Sequence, residues 1–584
     1  MKLLKNTLYA LLLGGMMTSC NFLEKEPMEL TPETYFNTAD EASSFLTGIY
    51  AILGQASFYG ENYIYLEGGD DLETYGGASA RTPATKGLVC VNALSSDAAV
   101  TGFWYTLYSG INRANMFLEN IDKVQDMDAT VKAQYIAEAR FLRAFYYFNL
   151  VQNWGDVPFR TESTDKVTGL DIPCTDRQTI YDFIISEMSE VSDEQNGGLL
   201  TAAELNFKPG HVSKSAAWGM LARVYLFRAG EWHRENRQPT EDERTTYFAK
   251  ASEYGQKVIN LNVHKLAPNY WDFFIDLCSN EYNTTANESL WEAEFAGNYT
   301  TDIVAEGRWG NIVGLGAPDL SNESSVVGSE DPGYSYEFFF ATPYLYDLYD
   351  KNGDKERFYW NLAQFKYLDE DGGTKKAVKK RQFFSEEAKN TIINDFNNWG
   401  RGTYSYAGDF VKESTKVDVS RPCAKYRREY EADKKNKNFT SINYPILRYA
   451  DVLLMVAEAE NEVNGGPTQL AKDCLTAVRE RAGLTYPSGI ETQDKFREAI
   501  KEERAMEFCF EFTRRNDLIR WGELTSAMLR SRTYPVDATT EEWKQATLNN
   551  AQGYLTVDDT YNYFPIPDAE MAVNKAITTN NPGW

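Results

Sequence analysis

The sequence predicts a mainly α fold in which TPR-like helical hairpins carry a loop-rich lobe with short strands. Three observations predict it. Trp104, Leu107, Tyr108, Ile111, Asn115, Leu118 and Ile121 recur at the three- and four-residue spacing of one helix face. Residues 216–226 alternate small and large side chains, the pattern of helices packed closely in tetratricopeptide hairpins. Between about 262 and 440 the helical period gives way to Gly-, Asn- and Tyr-rich chain.

In chain order, a first helix begins near Asp40 and carries Ala42, Phe45, Leu46, Ile49 and Tyr50. Residues 54–103 are rich in Gly, Tyr, Asp and Ser with weak periodicity, which reads as a long functional loop. Helices at 104–121 and about 131–152 form an antiparallel pair, with Ala133, Ala137 and Ala144 permitting close approach and Gly155 and Pro158 ending the second. Segments 179–191 and 213–230 form another pair, and 246–260 is a further helix. Late in the chain, 446–464, 470–482 and 495–520 complete the set. Within the lobe, 269–271, 307–316 and 399–410 read as loops, and 290–295 and 357–365 as short strands. Helices flank the lobe on both sides, so residues 40–584 read as a single domain. Its scaffold covers about 104–260 and 443–521, with an insert at about 262–440.

The chain has 584 residues, 43% of them hydrophobic and 25% charged, enough to bury a large core. With 59 Lys and Arg against 85 Asp and Glu, the formal charge is −26 and no long basic run offsets it. Duplex nucleic acid is thereby excluded as a natural partner, because phosphate binding needs a local cationic surface. Aromatic residues reach 14%, with 37 Tyr, 32 Phe and 12 Trp. Most must pack a core; some are available as flat faces for a ligand such as a sugar ring.

The first nineteen residues read as an export signal. Lys2 and Lys5 precede an apolar stretch, 7–17, too short to span a bilayer. Met17-Thr18-Ser19-Cys20 follows and resembles a bacterial lipobox, with Met17 where Leu is more usual. The implied event is cleavage before Cys20 and acylation of its thiol, each buried CH₂ adding about 0.8 kcal/mol of membrane affinity. Residues 20–39 then form the lipidated cysteine and its linker. The six remaining cysteines, Cys90, Cys174, Cys278, Cys423, Cys474 and Cys509, include no CxxC pair and read as reduced core residues.

Catalytic signatures are sparse. The three histidines, His211, His233 and His264, form no HExxH, and neither GxSxG nor GxxxxGK[ST] occurs. The run Asp350-Lys351-Asn352-Gly353-Asp354 has Lys355 where a calcium loop needs Gly and Asn361 where it needs Glu, so it reads as a surface turn. Asp70 and Asp71 are a pair of neighbouring carboxylates, but a glycosidase needs a defined gap between two such groups. The residues therefore favour a binding protein over an enzyme, with no cofactor and no metal expected.

Several segments resemble the SusD/RagB family of nutrient-binding outer-membrane lipoproteins of Bacteroidota. Cys20-Asn21-Phe22-Leu23-Glu24 is similar to the family's mature start. Ala137-Glu138-Ala139-Arg140-Phe141-Leu142-Arg143-Ala144 with Trp154-Gly155-Asp156-Val157-Pro158 resembles its second-helix signature. The strongest likeness runs from Tyr444-Pro445-Ile446-Leu447-Arg448-Tyr449-Ala450-Asp451 through Glu458, supported by Val478-Arg479-Glu480-Arg481-Ala482-Gly483-Leu484. Arg514-Arg515-Asn516-Asp517, Tyr563-Phe564-Pro565-Ile566-Pro567 and Asn580-Asn581-Pro582-Gly583 resemble its later signatures, and all stand in family order.

The resemblance implies about four TPR-like helical pairs with a loop-rich lobe. It also implies a SusC-like TonB-dependent transporter beneath the lipoprotein, which acts as its lid. Capture of an oligosaccharide, or of peptide in some members, at the outer membrane is implied as well. Arg448, Asp451, Glu458, Arg479 and Arg481 lie on otherwise apolar helices and read as an internal ion-pair network, not as ligand contacts. Ligand contacts are expected in the variable loops: Asp70, Asp71, Tyr75 and Arg81 in the early one, and Tyr299, Trp309, Tyr334 and Tyr336 in the later one. A peptide-capturing relative, a lipid-anchored glycoside hydrolase using Asp70 and Asp71, and a generic TPR adaptor are the alternatives.

Overall fold

Polar side chains set where the helices begin. The computed structural model describes residues 36–76, 85–164, 169–230, 239–295, 307–319, 332–369, 378–399, 420–431, 434, 436–539 and 541–584. Its first helix is Ala39–Tyr50, opened by a reciprocal capping box between Thr38 and Glu41. The next long helix, Ala98–Asn120, starts where Asp97 accepts the Ala99 N–H, earlier than its apolar period announces. Asp128 caps Ala129–Trp154, Asp176 caps Arg177–Val191, and Ser213 caps Lys214–Ala229. A second capping box, Thr240 with Glu243, opens Glu241–Asn260.

These helices pack in pairs, as TPR-like hairpins do. Ala98–Asn120 lies on Ala129–Trp154, and Arg177–Val191 on Lys214–Ala229. Glu241–Asn260 packs on Lys214–Ala229 and also on Tyr449–Asn464, on the far side of the lobe in sequence. Gln469–Arg481 and Gln493–Phe508 follow and pack against Tyr449–Asn464 and against each other. The lobe therefore emerges between the two members of one helical pair and is anchored at both ends. Among the described residues strands pair in antiparallel two-stranded ladders: Glu73–Tyr75 with Phe339–Ala341, Ser289–Ala293 with Tyr444–Arg448, Phe365–Asp369 with Val378–Phe383, and Val157–Pro158 with Cys174–Thr175. No helix among the described residues is long and apolar enough to cross a membrane.

Four local expectations need correction. Residues 54–76 are not a surface loop: Asn62–Glu67 is a helix, Glu73–Tyr75 a strand, and Tyr59, Tyr63, Tyr65 and Tyr75 are buried. The glycines there serve packing; a Cβ on Gly68 would come within 2.3 Å of the Ile64 carbonyl and 2.6 Å of the Phe339 ring. Residues 357–365 are mostly helix, because Asp354 caps the Arg357 N–H and starts Lys355–Asn361. Residues 270–279, read in part as loop, form the helix Tyr270–Ser279. The late helix is two, Gln493–Phe508 and Arg514–Arg520. Between them Phe510 and Phe512 take left-handed backbone angles of +61° and +54°. That break turns the Phe510 N–H onto the Glu73 carboxylate (3.2 Å) and the Glu511 carbonyl onto the Tyr444 hydroxyl (3.0 Å).

The polar residues on the signature helices are internal and paired. Arg448 donates to Glu507 (2.5 Å) and to both oxygens of Glu511 (2.9 Å each). Asp451 bridges Arg223 and Arg504 at 2.6 Å each, Arg479 meets Glu503 at 2.7 Å, and Glu458 pairs with Arg520. Glu507 also receives Arg357 and Arg481. Burial alone would raise the Glu507 carboxyl; the Arg481, Arg448 and Arg357 guanidiniums reverse this and hold it well below the usual carboxylate range. Such a network adds little net stability when intact, but removing one member strands a buried charge. Among the described residues no cysteine is joined in a disulfide, and all but Cys174 are buried. His264 is buried between the Asn287 carbonyl and the Ser215 hydroxyl, and His211 pairs with Glu138. His233 lies outside the described residues.

Candidate functional site

The early residues expected at a ligand site belong to the core. Asp70 is fully buried; its Oδ1 accepts the N–H groups of Leu72 (2.7 Å) and Glu73 (3.2 Å). Asp71 is clamped by Arg514 through two hydrogen bonds of 2.8 and 2.9 Å. Tyr75 packs its ring against Tyr65, Phe338 and Phe339. Trp309, also fully buried, donates its indole N–H to the Tyr59 carbonyl (2.8 Å) and stacks on Tyr444 with ring centroids 4.4 Å apart. These four residues have no free ring face or carboxylate to offer a solute, which corrects the expectation that they contact ligand. Arg81 and Tyr299 lie outside the described residues, as do the export signal and Cys20.

Tyr334 and Tyr336 are different. Both are half-buried, their rings meet edge to face at 4.9 Å, and Tyr336 stacks on Phe338, half-buried as well, also at 4.9 Å. The segment reaches this surface because it leads into Phe339–Ala341, which is laddered to Glu73–Tyr75, while the Tyr336 and Phe338 N–H groups donate to the Asn311 and Ile312 carbonyls. A turn at 436–439 lies alongside. Lys437 sets its ammonium 5.0 Å from the centre of the Tyr334 ring and pairs with Asp319 at 2.8 Å. The exposed Asn438 accepts a long hydrogen bond (3.4 Å) from the Tyr336 hydroxyl.

Between Tyr336 and Phe338, Glu337 takes a left-handed backbone angle of +57°, a conformation few side chains with a Cβ adopt. Burial pushes its carboxyl up to about 7; the Gly316 N–H and Lys366 only partly offset this. The result is a ring surface bordered by an amide, an ammonium and carboxylates. Ring faces can take the CH side of a pyranose while the polar border bonds its hydroxyls. By contrast, a groove of about 320 Å³ on the helical side is walled by carboxylates already paired with Arg497, Lys501 and Arg520. Among the described residues no group of three or more His, Cys, Asp or Glu is arranged to hold a metal ion. Of the expected contacts, Tyr334 and Tyr336 reach the surface; Phe338, Asp319, Lys437 and Asn438 join them only through the fold, the last two from a turn about a hundred residues downstream that carries no local signal.

A model described as the SusD family matches residues 287–584, more than half of the chain. The chain belongs to the SusD family. A second family model, described as starch-binding and associating with the outer membrane, matches residues 21–226. The chain is 28% identical over 537 residues to SusD-like protein P25 of Formosa agariphila, covering 90% of this chain and 91% of that one. It is 24% identical over 489 residues to the starch-binding protein SusD of Bacteroides thetaiotaomicron, covering 80% and 76%. Among solved structures, a SusD homolog from B. thetaiotaomicron superposes with a TM-score of 0.76 at 23% identity, covering 95% of this chain and 99% of that one. A laminarin-binding SusD-like protein superposes with a TM-score of 0.62 at 21% identity, covering 94% and 100%. These likenesses establish the SusD fold of TPR-like hairpins with a loop-rich lobe.

Proposed function

We propose that the mature chain is a non-enzymatic glycan-binding lipoprotein of the outer membrane. Cys20 carries its acyl anchor on the outer face of the cell. The chain captures an oligosaccharide on the Tyr334–Tyr336 surface and passes it to a SusC-like TonB-dependent transporter, over which it sits as a lid. The observation that carries this reading is the partly exposed ring pair bordered by Asp319, Lys437 and Asn438. Relatives named as starch-binding and laminarin-binding support it, as does the outer-membrane description of the family. Binding and release suffice for this work; no bond in the glycan is broken.

Affinity electrophoresis of residues 21–584 through gels containing starch or laminarin tests the reading. Retardation by a polysaccharide, abolished in the Y334A/Y336A double variant, is the expected result, with the polysaccharide recovered uncut. Retention of full affinity by the double variant, shortening of the glycan by pure protein, or binding to peptides alone would overturn it.

A further inference from the structure

The ring surface is made by two segments far apart in sequence, and one buried side chain ties them together. Arg428 is 2% exposed and donates in five directions. Its Nε meets Glu431 Oε2 (2.5 Å), Nη1 meets the carbonyls of Tyr334 (2.9 Å) and Lys437 (3.3 Å), and Nη2 those of Asn436 (2.9 Å) and Phe439 (3.3 Å). A guanidinium has five N–H donors in a rigid plane, so every donor is used. The second oxygen of Glu431 accepts the Ser441 N–H at 2.8 Å, which fixes the aim of the fork. Chain passes flush against it: Gly333, with φ +75°, leaves no room for a Cβ, which would fall 2.5 Å from Arg428 Cβ.

We infer that Arg428 is the positioning residue of the binding surface. Its guanidinium holds the Tyr334–Tyr336 segment against the 436–439 turn and so sets the spacing between the rings and the Lys437–Asn438 border. The inference rests on the reading of that surface as the glycan site. Arg428 touches no ligand itself; it acts through backbone carbonyls. Lysine in its place keeps the charge but has three donors at a single point, so it cannot span both segments. Arg427 supplies a matched control. It is equally buried, but it donates to the Ala424 and Trp360 carbonyls (2.7 and 3.1 Å) and lies over the Trp360 and Trp399 rings, away from the surface.

The test compares residues 21–584 as wild type, R428K and R427K by hydrogen–deuterium exchange and by affinity electrophoresis on starch and laminarin. In R428K, amides at 336–338 and 438–441 are expected to exchange about tenfold faster while those of Tyr449–Asn464 stay unchanged, and polysaccharide affinity falls about tenfold. R427K is expected to leave exchange at both segments and affinity as in wild type. Unchanged exchange at the two segments in R428K, or an equal rise there in R427K, overturns the assignment. If R428K does not fold, E431Q replaces it; the same two segments must loosen, and their staying rigid overturns the assignment equally. Failure of the glycan-site reading looks different: the Y334A/Y336A variant would keep full affinity while R428K still loosened the two segments.

Discussion

Arg514 grips Asp71 through two parallel hydrogen bonds, Nε to Oδ1 at 2.8 Å and Nη2 to Oδ2 at 2.9 Å, across 443 residues of chain. Both groups are buried, and the Asp71 carbonyl accepts the Thr342 and Ser531 hydroxyls. The pair staples the early segment to the late helices. Asp71→Asn leaves the Arg514 charge without its counterion, a loss of about 3–5 kcal/mol in the stability measured by urea unfolding. Glycan affinity of the folded fraction should be unchanged.

Trp309 and Tyr334 are expected to separate stability from binding. Trp309→Ala removes a fully buried indole stacked on Tyr444 and should cost about 3–5 kcal/mol in unfolding experiments. Tyr334→Ala removes a half-buried ring at the surface, so unfolding should shift far less while the dissociation constant for polysaccharide rises about tenfold. Isothermal calorimetry beside urea titration reads both.

Stability should fall both as pH rises above about 4 and as it drops below about 4.5, for different residues. Asp70 is pushed up to about 8, first by burial and then by Asp71. Its contribution is complete below its ordinary value of 3.8 and is lost as pH rises toward 8. Burial pushes Glu429 to about 8 and Glu292 to about 7, so both act in the same direction. Asp70→Asn should therefore flatten the decline in melting temperature between about pH 4 and pH 8, the window between its ordinary and its shifted value. On the acid side Glu507 and Glu458, held below 4.5 by their guanidiniums, contribute fully above that value and lose the contribution as pH drops below it. Glu507→Gln should weaken the acid limb as well as the baseline. Thermal melts across pH for the three proteins check both limbs.

Cys20→Ala should release the chain from the membrane. Cells expressing the full sequence with labelled palmitate should incorporate label into wild type and not into the variant. Fractionation should move the variant out of the outer membrane.

Much of the scaffold is legible in the sequence because helices advertise themselves locally. Apolar residues three and four apart describe one helix face without reference to distant chain, although the starts that Asp97, Asp128 and Asp176 set lie a few residues ahead of that period. What a local reading could not find was the pairing of helices that lie far apart in sequence. Glu241–Asn260 joins Tyr449–Asn464 across the lobe, and nothing in either helix names the other. The same limit explains the misplaced site residues. Asp70, Asp71 and Tyr75 sit in aperiodic chain rich in Gly and Tyr, which looks like an exposed loop until Arg514, Phe338 and Phe339 arrive from elsewhere to bury it. Tyr334 and Tyr336 are expected there only as aromatics of a variable loop, whereas Arg428, Lys437 and Asn438 act on them only through the fold.

The most direct test of the central claim is a crystal structure of residues 21–584 with the oligosaccharide the protein retains. The account predicts a sugar ring against Tyr334 or Tyr336, with its hydroxyls bonded to Asn438, Lys437 or Asp319. A sugar bound elsewhere, with those rings bare, would contradict it.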